Sequence, residues 1–344
     1  MTTAQPVRPV WIAETDEAPH APVEMPQWSE NYLSYVYSPE SGVGIWFHFS
    51  HVPENGRPGL WEEVLYCTLP GDRRLVARTH APGRTPDGAA AGGLTVSGLT
   101  FRCHEPFRRW TKHFVGGARL VGAEELQAGP LGDGAHTPVH LDLECTMMSP
   151  PFDYGTGSLD QSWGKAHYEQ HQEVRGTLRV GDETFAIDGA GMRDHSWGPR
   201  DWTKMGRTTW IHAQFPNSGR SFMTVYVAER PPHIPDPLHY TVISDRDSVT
   251  NVEVRELPEA FNLTQCEQDA EFVIVTPDGS ESRVRTQVLA PMRMFLVGDR
   301  EFALGTTHRR GIPVPSHDYV PAFARVEWDG EVGYGYVERT AELL

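Results

Sequence analysis

The sequence predicts an all-β protein built from two tandem antiparallel barrels or sandwiches. Three observations carry that prediction. Short runs rich in Val, Ile, Thr, Tyr, Phe and Trp recur along the chain, the composition of a pleated, half-buried surface. Polar turn sequences separate neighbouring runs, and 33 glycines and 28 prolines are scattered without a period, which marks many punctuated short elements rather than a collagen-like or disordered chain. Helical periodicity is scarce: the best stretch, residues 256–268, contains Pro258, which a helix interior does not tolerate.

Residues 1–30 are proline-rich with little periodicity and predict an extended arm over the surface. Residues 31–37 and 43–51 then flank Ser-Pro-Glu-Ser-Gly, and residues 61–69 and 74–80 flank Pro-Gly-Asp-Arg, two hairpin signatures. Residues 81–93 read as a Gly/Ala/Pro-rich surface loop, with strands at 94–103, 112–121 and 140–148. The aromatic, glycine-bearing stretch 149–163 has the composition of a loop covering a pocket mouth. From Tyr168 a hairpin turns at Val180-Gly-Asp-Glu183. Further hairpins join 208–215 to 221–229, 270–276 to 282–290, and 323–328 to 332–340. About sixteen strands fit two β domains, 31–205 and 206–344.

The chain is long enough to bury a large core. A formal net charge of −16 repels phosphate backbones and anionic lipid surfaces, so nucleic acid is not an expected partner. The first residues lack the apolar core of a signal peptide, and no stretch approaches the roughly 20 apolar residues of a membrane span. These features fit a cytoplasmic protein, and a homodimer is compatible with them. Cys67, Cys103, Cys145 and Cys266 form no C-x-x-C pair and read as buried thiols.

The stretch from Gly189 to Trp202 crowds two Arg-Asp pairs, a histidine and two tryptophans together. Preceded by the strand-like residues 184–188, it reads as a strand entering a tight turn at Gly198-Pro199. Period-2 alternation sends Arg193 and His195 to one face and Asp194 and Ser196 to the other. A carboxylic acid facing an apolar pocket has its charged form desolvated and can donate a proton near neutral pH. Asp194 is the candidate donor, His195 its orienting or relaying partner. The competing reading is a corner in which Arg193, Asp194, Arg200 and Asp201 pair structurally around Trp197 and Trp202. Buried ion pairs give little net stability, so their density favours a site.

His167, Glu169 and His171 share one face of a strand and could supply a two-histidine, one-carboxylate metal set. Their spacing of about 6.6–7 Å along the strand strains chelation by one strand. Trp197, Trp202 and Trp210 are the aromatic candidates for flanking a cation, each ring contributing roughly 0.5–2 kcal/mol. No G-x-S-x-G elbow, P-loop or dinucleotide fingerprint is present.

Three segments, His167-Tyr-Glu-Gln, Gly191-Met-Arg-Asp-His-Ser-Trp-Gly-Pro-Arg-Asp-Trp202 and Gly333-Tyr-Gly-Tyr-Val-Glu338, resemble the lipocalin-like superfamily of carotenoid hydratases (hydroxyneurosporene synthase-like), and more closely a bacterial branch carrying the central motif. The resemblance implies two tandem lipocalin-like β-barrel domains with a pocket between or within them. It implies no cofactor and no metal, and a hydrophobic isoprenoid- or polyketide-like small molecule as substrate. Asp194 and His195 match the family's Asp-His pair before an aromatic. Trp197, Trp202, Trp210, Tyr168, Gln170 and Tyr154 are the expected substrate contacts, supported by Arg193, Arg200, Asp201 and Glu169. Arg200-Asp201-Trp202 extends the motif beyond the carotenoid enzymes. The expected activity is therefore an acid-catalysed hydratase, cyclase or isomerase working in an apolar barrel pocket. Its alternatives are a non-catalytic carrier of apolar ligands and a metal-dependent β-barrel enzyme.

Overall fold

The computed structural model describes residues 12–22, 26–52, 59–89, 92–128, 134–153, 166–199, 205–229, 238–257, 269–292, 294–297, 301–304 and 315–342. The expected lid residues 154–163, the helical stretch from Pro258 to Gln268 and Cys266 lie outside them. The chain is all-β and divides into two compact units, one of Pro9–Leu126 with Leu131–Arg200, the other formed mainly by Asp201–Leu344. Among the described residues no helix is long and apolar enough to cross a membrane.

The first unit contains β1 (Trp28–Ser38), β2 (Val43–His51), β3 (Leu60–Leu69), β4 (Arg73–Pro82), β5 (Gly92–Val96), β6 (Leu99–Glu105), β7 (Arg109–Gly122), β8 (Thr137–Met147), β9 (Ala166–Val180) and β10 (Glu183–Pro199). The sheet order β4-β3-β2-β1-β10-β9-β8-β7-β6-β5 closes on itself because β4 also pairs with β7. One edge of β7 serves two partners: residues 109–114 bond β6 and residues 119–122 bond β4. The predicted single strand over 94–103 is a hairpin, β5–β6, turning at Ser97, whose φ of 45° lies in the left-handed region.

The turn expected at Gly198-Pro199 is not formed at those residues; β10 runs unbroken to Pro199. Both its edges are paired, to β1 through Trp28↔Pro199 and to β9 through Trp197↔Ala166. Gly189 and Gly191 permit this closeness. A Cβ on either would lie 2.0 Å from a β1 carbonyl oxygen, that of Tyr37 or Tyr35.

Alternate residues of these strands fill the interior, among them Phe47, Phe49, Leu65, Phe101, Trp110, Leu141 and Val174. Burying each such side chain contributes roughly 1.5–3 kcal/mol. Lys112 lies among them, its ammonium donating to Ser34 and, at 3.2 Å, to Gln172 Oε1, with the Phe101 ring centroid 5.1 Å away. Burial pushes this amine down to about 8.

Glu63 also points inward, its Oε2 accepting the Leu99 N–H at 3.0 Å. Burial pushes its carboxyl up to about 7, against the pull of that hydrogen bond. The folded state therefore keeps a proton that the unfolded chain releases near pH 4.5, and stability is lost as pH rises from there to about 7. Glu63→Gln keeps the acceptor and removes the titration. Its unfolding free energy at pH 8 should exceed that of the parent, by roughly 2–4 kcal/mol at most, with the difference vanishing at pH 4. Equal midpoints at both pH values would contradict this.

The second unit contains β11 (Met205–Phe215), β12 (Arg220–Glu229), β13 (Leu238–Ser244), β14 (Val249–Asn251), β15 (Glu253–Arg255), β16 (Ala270–Val275), β17 (Glu281–Pro291), β18 (Met294–Val297), β19 (Glu301–Leu304), β20 (Pro315–Trp328) and β21 (Glu331–Glu342). They form an antiparallel sheet ordered β14-β13-β12-β11-β21-β20-β17-β16-β15, with the β18–β19 hairpin on the free half of β20. Asp329 and Gly330 both have positive φ, 53° and 77°, as a two-residue Asp-Gly hairpin requires. Phe215, Phe222, Phe272, Val326 and Trp328 lie in its core.

Candidate active site

Strand β10 presents two chemically different faces. Arg193, His195 and Trp197 point into the barrel; Asp194 and Ser196 point outward, as the alternation predicts.

On the inner face, Arg193 Nη2 donates to Glu17 Oε1 at 2.7 Å, and its Nε donates to Gln170 Oε1 at 3.2 Å. Glu17 also accepts from Tyr168 Oη at 2.6 Å and from Trp110 Nε1 at 2.8 Å. Burial alone would raise the Glu17 carboxyl, but the Arg193 charge and the Tyr168 hydrogen bond outweigh it and hold it below the ordinary value. Glu17 ends a 3₁₀ turn, Glu14–Glu17, so the arm expected on the surface sends this wholly buried side chain into the barrel. Three residues on, His20 stacks on Trp197 with ring centroids 4.1 Å apart and places Nδ1 2.8 Å from Glu30 Oε1. The same oxygen lies 2.9 Å from His195 Nε2, while His195 Nδ1 is 2.8 Å from the Asp16 carbonyl oxygen. Tyr32 stacks on His195 at 3.8 Å. Burial opposes the charge on Glu30, yet hydrogen bonds from His195 and His20 keep its carboxyl low.

The outer face holds a second titratable group. Asp194 Oδ2 is 3.5 Å from His167 Nε2, and the same nitrogen is 3.6 Å from Glu169 Oε1. Asp194 Oδ1 accepts the Leu33 N–H at 3.2 Å. The Asp194 side chain is 12 % exposed and that of His167 9 %, whereas Glu169 is fully enclosed. One imidazole facing two carboxylates can pass a proton between a buried reservoir and a solvent-reachable oxygen.

Several sequence expectations change. Arg193 pairs with Glu17, so the structural corner of Arg193 with Asp194 is not formed. His195 faces away from Asp194, and its hydrogen bonds run to Glu30 and Asp16; the direct relay between these neighbours has no path because a strand turns consecutive side chains to opposite faces. Tyr168 and Gln170, expected at substrate, are buried with their polar groups on Glu17 and Arg193, and Gln170 Nε2 also donates to the Ser149 carbonyl at 2.9 Å. Trp210 lies in the second unit, packed on His212 and Tyr336 with centroids 4.4 and 5.8 Å away. Glu338 of the terminal motif accepts from Tyr336 at 2.9 Å and from Tyr319. Tyr154, Arg200, Asp201 and Trp202 fall outside the described residues.

The metal set of His167, Glu169 and His171 does not converge; the His171 ring packs beside Phe152, centroids 5.4 Å apart. Among the described residues, metal-ligand atoms do converge within 4.8 Å at His20, Glu30 and His195, and at the more exposed His113, His140 and Asp142. His113 and Asp142 of the second trio line a groove of about 620 Å³ together with Arg102, Glu144 and Arg175.

Sequence reasoning missed Glu17, His20 and Glu30. Glu30 leaves a trace, an acidic residue inside the aromatic run of β1. Glu17 and His20 leave none: the arginine that Glu17 pairs with lies 176 residues away, and the carboxylate that His20 faces, Glu30, ends the stretch read as an extended arm.

With this geometry in place, the family described as a domain of unknown function, DUF7064, matches residues 13–342. The chain belongs to that family. No curated protein matches the DUF7064 chain in sequence. Its fold is shared with solved structures at low identity. A putative AttH from Nitrosomonas europaea aligns with a TM-score of 0.55 at 13 % identity, over 95 % of this chain and 99 % of that one. CghA in complex with Sch210972 gives 0.55 at 11 % identity, over 92 % and 89 %. Kievitone hydratase from Nectria haematococca gives 0.54 at 12 % identity, over 99 % and 94 %.

Proposed function

We propose that this DUF7064 chain is an acid–base catalyst of the hydratase, cyclase or isomerase type acting on a hydrophobic small molecule without a cofactor. The observation that carries the reading is the contact of Asp194 with His167, no arginine facing that carboxyl among the described residues, with the carboxyl partly open to solvent and Glu169 behind it. A guanidinium holds a carboxylate ionised, whereas an imidazole is able to exchange protons with one. In this reading Asp194 delivers the proton to a carbon–carbon double bond, the cation so formed is closed by water, by a second double bond or by loss of a neighbouring proton, and His167 and Glu169 return a proton to Asp194. The shared fold with kievitone hydratase and CghA supports the class of reaction.

The test is incubation of the purified chain with a lipophilic extract of its host in D₂O, followed by mass spectrometry. One product gaining deuterium at carbon, at a rate proportional to protein, is expected. A ligand that is retained tightly but recovered without deuterium would replace the enzyme by a carrier.

A further inference from the structure

We propose that His20, Glu30 and His195 form a binding site for one divalent transition-metal ion of the zinc class, which fastens the N-terminal arm to the mouth of the first barrel. The argument begins with lone pairs. A carbonyl oxygen only accepts, so the 2.8 Å contact of His195 Nδ1 with the Asp16 carbonyl fixes a proton on Nδ1. In neutral His195 the Nε2 lone pair then points at Glu30 Oε1, 2.9 Å away, and something positive must stand between them. His20 repeats the arrangement. Its Nδ1 faces the same Glu30 oxygen at 2.8 Å, and its Nε2 faces Asp16 Oδ1 at 3.4 Å. A single divalent ion between the three ligand atoms satisfies both contacts at once.

The surroundings are those of metal-binding histidines. Each ring turns one nitrogen to the shared centre and the other to an acceptor, and one residue, Asp16, supplies both acceptors. Such outer hydrogen bonds set the tautomer and orientation of ligating imidazoles. Glu30 is oriented in turn by the His20 backbone N–H, 2.9 Å from Oε1 and 3.1 Å from Oε2. Ligand atoms around tetrahedral zinc stand about 3.3 Å apart for bonds of about 2.0–2.1 Å. The two nitrogen-to-Oε1 separations therefore need to open by about 0.5 Å, with the two nitrogens within 4.8 Å of each other, and the short arm carrying His20 can supply that. Two nitrogens and one carboxylate suit zinc or iron(II) better than magnesium or calcium. Because the set is enclosed by Tyr32 and Trp197, the ion's role is to hold the arm. The site lies on the opposite face of β10 from Asp194, so it stands or falls independently of the proposed reaction.

The experiment uses the full chain stripped with EDTA and titrated with zinc chloride by calorimetry at neutral pH, with hydrogen exchange of residues 12–22 followed in parallel. One equivalent is expected, together with slowed exchange of the arm. His20→Ala, a substitution on the partly exposed arm, should weaken binding at least 100-fold and abolish the added protection. Asp16→Asn should weaken it roughly 10–100-fold. Cobalt substitution should give visible d–d bands that His20→Ala removes. Failure of zinc to bind, or binding that survives His20→Ala and disappears in His113→Ala, would overturn the assignment.

Discussion

Asp194→Asn should lower the rate of deuterium incorporation by about 10²–10⁴-fold, the usual contribution of a positioned general acid, while leaving the thermal midpoint nearly unchanged. The substitution isolates chemistry from packing. The amide retains an oxygen for the Leu33 N–H and almost the same volume, so β1 and β10 keep their register. It cannot carry the proton. His167→Gln, which deletes the imidazole between Asp194 and Glu169, should also slow the reaction and displace its pH profile. If Asp194→Asn melts early and its residual folded fraction reacts at the parental rate, the carboxylate is a structural group and the proposed reaction loses its proton source.

Glu17→Ala should be the most destabilising single change in the arm, costing about 3–5 kcal/mol because it leaves the buried Arg193 charge without its partner. It also strands the Trp110 N–H and the Tyr168 hydroxyl, both of which donate to Glu17. At roughly 2–4 °C per kcal/mol for a unit of this size, the midpoint should fall by about 6–20 °C. The pH dependence has a defined sign. Since folding holds the Glu17 carboxyl below its ordinary value, the pair contributes fully above pH 4.5, and that contribution is lost as pH falls through the lower folded value. The gap between parent and variant should therefore narrow in acid. Calorimetry showing a shift under about 2 °C at pH 7 would mean the arm is dispensable to the barrel.

The strands were legible in the sequence wherever the information is local. Alternation and turn chemistry locate β2, the hairpins around Pro70-Gly71 and Asp329-Gly330, and the opposite facing of Arg193 and Asp194. Two features escaped for one physical reason: their causes are distant in the chain. Gly198-Pro199 reads as a turn, yet pairing with Ser29 and Trp28 of β1 holds β10 extended through it. The central arginine reads as a partner for its neighbour, but its carboxylate arrives from 176 residues upstream. Glu30 and His195 are likewise brought together by the β1–β10 pairing, which no sequence window contains. The outward trio of Asp194, His167 and Glu169 lay within reach, since each was singled out, but only the register Asp194↔Glu169 joins the two clusters.

The Glu17–Arg193 bond also sets an order of events during synthesis. The acidic residue leaves the ribosome first and then waits for almost the whole unit to be translated before its guanidinium exists. Until then the nascent chain carries an unsealed ring, with β1 lacking the neighbour that β10 will provide. A bulky fusion ahead of the arm should consequently show its harm in the yield of soluble product more than in the resistance of the finished molecule to heat.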